Sequence, residues 1–145
     1  MNNLLIKQVE EIIKEEDFIA AVSNVSAVIN SSLKDLNWCG FYFVKNNELV
    51  LGPFQGKVAC THIPFSKGVC GACYTSKKAI RVADVHEFAG HIACDSVSNS
   101  ELVVPIIKNE EVVALIDLDS PLINRFTQDD EDTLVEIAKL LTNKF

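Results

Sequence analysis

The chain predicts an α+β fold with a mainly antiparallel sheet flanked by N-terminal and C-terminal helices. Three observations carry this. Apolar residues recur at helical spacing at both ends, the middle is rich in alternating aromatic and β-branched residues, and short polar turns separate the central runs. Residues 2 to about 34 read as helix: Ile6, Val9 and Ile13 share a face, then Phe18, Val22, Val25, Ile29 and Leu33 do so, with Asp17 capping the second helix. From Asn37 the pattern turns to β. Residues 38–44 form a strand ended by the turn Lys45-Asn46-Asn47-Glu48; residues 49–51 return, closed by Gly52, Pro53 and Gly56; residues 58–63 predict a third strand. A helix follows over about 69–76, then a short extended piece at 80–82. Residues 84–100 are loop-like, with room for one helical turn. Residues 102–107 and 112–118 flank Lys108-Asn109-Glu110 as a hairpin, in which Pro105 predicts an edge position or a bulge. The last helix follows Pro121. Thr127 is its N-cap with Asp130 three residues on, and Leu134, Ile137, Ala138 and Leu141 line one face.

The length, 145 residues, suits a single domain over 1–145, able to bury roughly 70% of its unfolded surface without disulfides or metal. A net charge of −7 argues against nucleic acid or an anionic membrane as partner. No apolar run reaches the ~20 residues of a membrane span, and the first residues lack a basic secretory leader, so a cytoplasmic location is expected. In that compartment five cysteines point to thiol chemistry or metal more than to structural disulfides.

The cysteines divide by setting. Cys39 lies among core-like aromatics and reads as a small hydrophobe. Cys70 and Cys73 form a C-x-x-C on a short helix, without the βαβ context of a thioredoxin motif. Cys60 sits in the expected third strand. His62, His86 and His91 supply no zinc-type spacing with the cysteines, so no metal is expected. Cys94 stands in a polar loop, where a thiol can be exposed and reactive; His91, three residues earlier, either assists it or caps a turn.

Strand alternation puts Asp117 and Asp119 on one face, roughly 7 Å apart. Either the strand ends at Ile116 and both acids are solvated, or they form a site for a cation. Glu101 would stand at the same end of the hairpin, and three converging acids would raise at least one carboxyl pKa. Trp38 and Tyr42, four apart on a strand, share a face, as core aromatics or as part of a site.

Six segments carry a resemblance: 37–42 (NWCGFY), 51–57 (LGPFQGK), 68–71 (GVCG), 90–95 (GHIACD), 99–101 (NSE) and 116–120 (IDLDS). With them the chain resembles the free methionine-(R)-sulfoxide reductases, which are single GAF-type domains, from about Asn37 to Leu141. The resemblance implies a GAF-like fold and reduction of free L-methionine-(R)-sulfoxide, with no cofactor and with thioredoxin as reductant. It implies that Cys94 attacks, that Cys60 and Cys70 resolve and relay the oxidised state, and that Trp38 and Tyr42 hold the substrate's methyl group. It assigns Glu101, Asp117 and Asp119 to the sulfoxide and amino group, with Asp84 as a further acid, and it favours a homodimer. A protonated Glu101 suits a general acid. Cys39 and Cys73 have no counterpart in that trio, and Cys73 could compete as partner of Cys70. Two other readings stay open: a small-molecule-binding module without turnover, and a redox sensor whose disulfide is itself the signal.

Overall fold

Two hairpins build the centre of a six-stranded antiparallel sheet in the computed structural model, which describes residues 1–91, 94 and 96–145. The first pairs β1 (Trp38–Lys45) with β2 (Glu48–Gly56), and the second pairs β5 (Ser100–Lys108) with β6 (Glu111–Ser120). Both turns have two residues at positive φ, Asn46 and Asn47 in one and Asn109 and Glu110 in the other. Such two-residue turns match the right-handed twist of the flanking strands, and Asn tolerates the left-handed region well. β1 and β6 then pair at the centre. With β3 (His62–Ile63) and β4 (Ile80–Val82) the order is β3-β2-β1-β6-β5-β4.

Helices α1 (Asn3–Ile12), α2 (Phe18–Ser32) and α4 (Gln128–Leu141) cover one face. Each starts where a side chain can accept its orphan N–H groups. Asn2 and Asp17 cap α1 and α2, and Thr127 with Asp130 forms a complete capping box on α4. Their apolar stripes (Val9, Val22, Ile29, Ile137 and Leu141 among them) bury against Phe41, Leu102, Val104, Ile116 and Leu118 of the strands. A fully buried Leu, Ile or Phe contributes roughly 1.5–3 kcal/mol, so this layer is the main source of stability. Cys39 lies in it, as expected of a core residue.

Among the described residues, the opposite face is covered by α3 (Gly68–Ser76) and loops. Because strand side chains alternate, Trp38, Tyr42, Val103 and Leu115 point there while their neighbours fill the helical layer.

Two expectations are corrected. The third strand is only two residues long, and residues 57–61, with Cys60, form a loop instead. Side-chain hydrogen bonds from Trp38 and Tyr42 occupy the carbonyls of Lys57 and Cys60, which a strand ladder would otherwise use. β2 does not close at Gly52-Pro53 but runs on to Gly56; the register shifts there, so that residues 52 and 53 both oppose Phe41, and a bulge accommodates the proline. Pro105 meets its expectation: it lies beyond the last β4–β5 pair at Ile80–Val103, where β5 is unpaired on that side, and a bulge begins at Ile106.

Gly40 allows the bulge to fold in. A Cβ there would overlap Phe54 Cβ and lie 2.8 Å from its Cα. Phe54 can therefore stack on Trp38, with centroids 5.2 Å apart. We expect Gly40→Ala to cost about 1–3 kcal/mol in urea unfolding, as overpacking does, and to shift tryptophan fluorescence because Trp38 is the sole Trp.

Candidate active site

Register alone assembles the acids and aromatics. Asp119 is paired with Trp38 on one side and Glu101 on the other; two residues along, Asp117 is paired with Gly40 and Val103. The strand therefore does not end at Ile116. Trp38, Tyr42, Glu101, Asp117 and Asp119 all line one small cavity between the sheet and α3. Cys70, on the first turn of α3, lines it too, together with Gly68, Val69, Ala59, Ile63, His91, Cys94 and Ser98. None of these described lining residues is Lys or Arg.

The floor is a buried carboxyl pair. Glu101 is 7% and Asp117 5% exposed. Burial first, then the charges of Asp117 and Asp119, push the Glu101 carboxyl well above the usual range. Asp117 is also raised by burial, while hydrogen bonds from Glu101 and Cys70 hold it down. Both shifts fit one proton held between the pair, with Glu101, the more strongly raised carboxyl, favoured to carry it. Asp117 Oδ1 is buried with no hydrogen-bond partner among the described residues. The other oxygen, Oδ2, accepts from Cys70 Sγ at 3.5 Å. Burial, followed by the charges of Asp117, Glu101 and Asp119, raises the Cys70 thiol well above its ordinary value, so it is protonated. Cys70 Sγ and the Glu101 and Asp117 oxygens lie within 4.8 Å of one another, but with the thiol and one carboxyl protonated they offer a cation a single charged group.

The aromatic wall carries its own polar contacts. Trp38 and Tyr42 stack at 5.9 Å, each 2% exposed. Trp38 Nε1 donates to Lys57 O at 3.2 Å and Tyr42 Oη donates to Cys60 O at 2.9 Å. Burial is the main reason the Tyr42 hydroxyl stays neutral, with Asp117 second.

Cys60 and Cys94 form a disulfide beside the cavity, with Cα atoms 5.5 Å apart. Cys39, Cys70 and Cys73 are buried thiols. Cys73 donates to Val103 O at 3.7 Å and is pushed up mainly by burial; it and Cys70 are both free thiols. His91 faces the same cavity, its imidazole kept neutral by burial and then by nearby His86. Of the segment 90–95, Ile92, Ala93 and Asp95 lie outside the described residues.

Asp84 stands apart from the other acids. It caps the 3-10 turn Val85–Glu87, accepting from His86 N at 3.0 Å, and is not part of the cavity lining. Sequence reasoning missed Phe54, which backs Trp38, and Ser98, which lines the cavity and accepts a hydrogen bond from Asn37 at 3.0 Å. An aromatic beside Gly-Pro was the only available sign of the first; the second was hidden in a uniformly polar loop.

A GAF domain profile matches residues 17–144. The free methionine-R-sulfoxide reductase of Escherichia coli is 45% identical over 88% of this chain and 77% of its own length. The reduced structure of fRMsr of Staphylococcus aureus superposes with a TM-score of 0.93 at 47% identity, covering 98% of this chain and 93% of the other. The free methionine-R-sulfoxide reductase of Neisseria meningitidis, solved in complex with its substrate, gives 0.93 at 39% identity, covering 97% and 86%.

The shared proton has a measurable consequence. A carboxyl whose pKa is higher folded than unfolded holds a proton that unfolding releases. Its contribution to stability is complete below about pH 4.5 and is lost as pH rises toward the folded value. Glu101→Gln keeps a donor for Asp117 but cannot ionise. We expect the variant to gain stability relative to the parent as pH rises from 5 to 8, by at most about 1.4 kcal/mol per pH unit, in urea unfolding curves. A pH-independent difference would place the proton elsewhere.

Proposed function

The chain belongs to the GAF domain family and, within it, to the free methionine-R-sulfoxide reductases; from that premise we propose that it reduces free L-methionine-(R)-sulfoxide by thiolate chemistry at Cys94, with thioredoxin as the recycling dithiol. The observation that carries the proposal is the Cys60–Cys94 disulfide beside a cavity walled by acids and aromatics.

The chemistry follows from what each group can do. The neutral imidazole of His91 is the form able to take the Cys94 proton. The thiolate attacks the sulfoxide sulfur. The oxygen leaves the substrate only when protonated, and Glu101 holds a proton at neutral pH for that purpose. The protonated oxygen passes to the Cys94 sulfur as the bond between Cys94 and the substrate sulfur breaks, so methionine departs and Cys94 is left as a sulfenic acid. The Cys60 thiol displaces hydroxide from it, giving the disulfide and water, before over-oxidation can occur. A thioredoxin dithiol then reduces the disulfide by exchange, so that two electrons and two protons convert sulfoxide to methionine and water. Cys70, protonated on the cavity floor, is proposed for a later exchange that first requires it to leave Asp117.

Selectivity has a physical reason in the same wall. With no Lys or Arg among the described lining residues, Asp117 and Asp119 favour an α-ammonium group. A methionine sulfoxide within a polypeptide offers an uncharged amide there instead. The aromatic faces of Trp38 and Tyr42 suit the S-methyl group.

The test is purified protein with thioredoxin, its reductase and separate R and S epimers of free methionine sulfoxide. Turnover of the R epimer alone is expected, and none with Cys94→Ser; Cys39→Ser keeps most of it, since its thiol lies in the helical layer. Absence of R turnover, with disulfide formation by peroxide intact, would favour the redox-sensor reading. Glu101→Gln should lower sulfoxide turnover about 100-fold or more while changing reduction of the preformed disulfide far less.

A further inference from the structure

We propose that the Tyr42 hydroxyl, aided by the Trp38 indole N–H, positions Cys60 for the disulfide step, so that the aromatic wall of the substrate cavity is also the brace of the resolving thiol. This rests on the thiol sequence proposed above and adds a role for the polar tips of the two rings.

Cys60 lies in the segment between β2 and β3, after Gly56 and before His62. The segment's apolar anchoring is confined to Ala59 and Cys60, partly buried against the aromatic cluster, while Val58 is 88% exposed. Its path is set by separate tethers. Lys57 O accepts from Trp38 Nε1, Cys60 O from Tyr42 Oη, and Thr61 O from Leu51 N at 3.0 Å. Gly56, at φ 138°, lies so close beneath the indole that a Cβ there would be 2.6 Å from Trp38 Cδ1. Two of these tethers come from the rings that wall the cavity, and one of them grips the carbonyl of Cys60 itself.

The geometry makes that grip consequential. A disulfide forms only when Cα atoms approach to roughly 4.4–6.8 Å with converging Cβ vectors. Cys60 and Cys94 satisfy this at 5.5 Å, each from a loop rather than from the sheet. A Cys60 carbonyl released by 1–2 Å takes its thiol out of range for part of the time. In the step concerned, the Cys60 sulfur bonds to the Cys94 sulfur, the Cys94 S–O bond breaks, and the hydroxyl leaves with the thiol proton as water. No outside electrons are needed, because the sulfoxide, or a peroxide used in its place, has already oxidised Cys94.

Tyr42→Phe removes the grip and keeps the ring. The experiment oxidises the reduced full chain with one equivalent of hydrogen peroxide, so substrate binding does not enter. Sulfenic acid at Cys94 is trapped with dimedone at timed intervals, and the Cys60–Cys94 disulfide is counted by mass spectrometry. We expect disulfide formation to slow about five- to tenfold, as for loss of one neutral hydrogen bond, with more trapped sulfenic acid. A redox titration should show the disulfide easier to reduce, by up to about 30 mV for the tenfold case. Trp38→Phe, which removes the N–H to Lys57 O, should move both quantities the same way and carries the test if Tyr42→Phe fails to fold. Parental disulfide rate and potential in a folded Tyr42→Phe protein would overturn the proposal. Because the oxidant is peroxide, a missing R-epimer turnover would sink the reductase reading without touching this one.

Discussion

The proton shared by Glu101 and Asp117 is the constraint around which the cavity is arranged. Two carboxyl groups that are at least nine-tenths buried cannot both ionise at hydrogen-bonding distance, because each anion would lose hydration and meet a like charge. One proton removes the conflict and leaves a single negative charge, which the Cys70 thiol then solvates through Asp117 Oδ2. In the proposed reaction the same proton is the one that the sulfoxide oxygen takes up. A group kept neutral for structural reasons is thereby available as an acid at a pH where a surface glutamate would have none to give.

Holding such a pair requires a rigid frame, and the sheet supplies it through register. β6 lies between β1 and β5, so both of its acids have paired backbone on either side. The opposite face of the same residues' neighbours is locked into the helical layer through Ile116, Leu118 and Leu102. A slip of one residue would send Asp117 into that layer and an isoleucine into the cavity. The cost of the slip fixes the acids more firmly than their own hydrogen bonds do. The hydrophobic layer, far from any chemistry, is thus what gives the carboxyl pair its geometry.

The regular part of this frame was legible from the pattern of residues. Helical spacing located α1, α2 and α4, the caps Asp17 and Thr127 stand where expected, and both Asn-containing turns close hairpins. Strand alternation placed Trp38 with Tyr42, and Asp117 with Asp119, on one face. What was not legible depends on contacts distant in sequence. The segment at Cys60 has strand-like composition, yet Trp38 and Tyr42 claim its carbonyls from about twenty residues away. Asp84 resembles the other acids in type and lies outside the cavity, because its nearest partner is the N–H of His86, only two residues on. Gly40 and Phe54 become meaningful only once a bulge brings them together.

The five cysteines show the same division between frame and loop. Cys39 belongs to the helical layer, Cys73 is buried against Val103, and Cys70 sits on the carboxyl pair; burial raises all three thiols, and protonated thiols are poor nucleophiles. Cys60 and Cys94 are the two on loops, and they are the two that are bonded. Elements locked into a sheet and helix can hold charges and rings to fractions of an ångström, but they cannot easily follow a sulfur atom through attack, release and bridging. Loops can, at the risk of losing the partner thiol. Tethering one loop by a hydroxyl and an indole N–H from the rigid strand β1 answers both demands. On the proposed reading the bond can open and close while the Cys60 thiol returns to the same place beside the cavity.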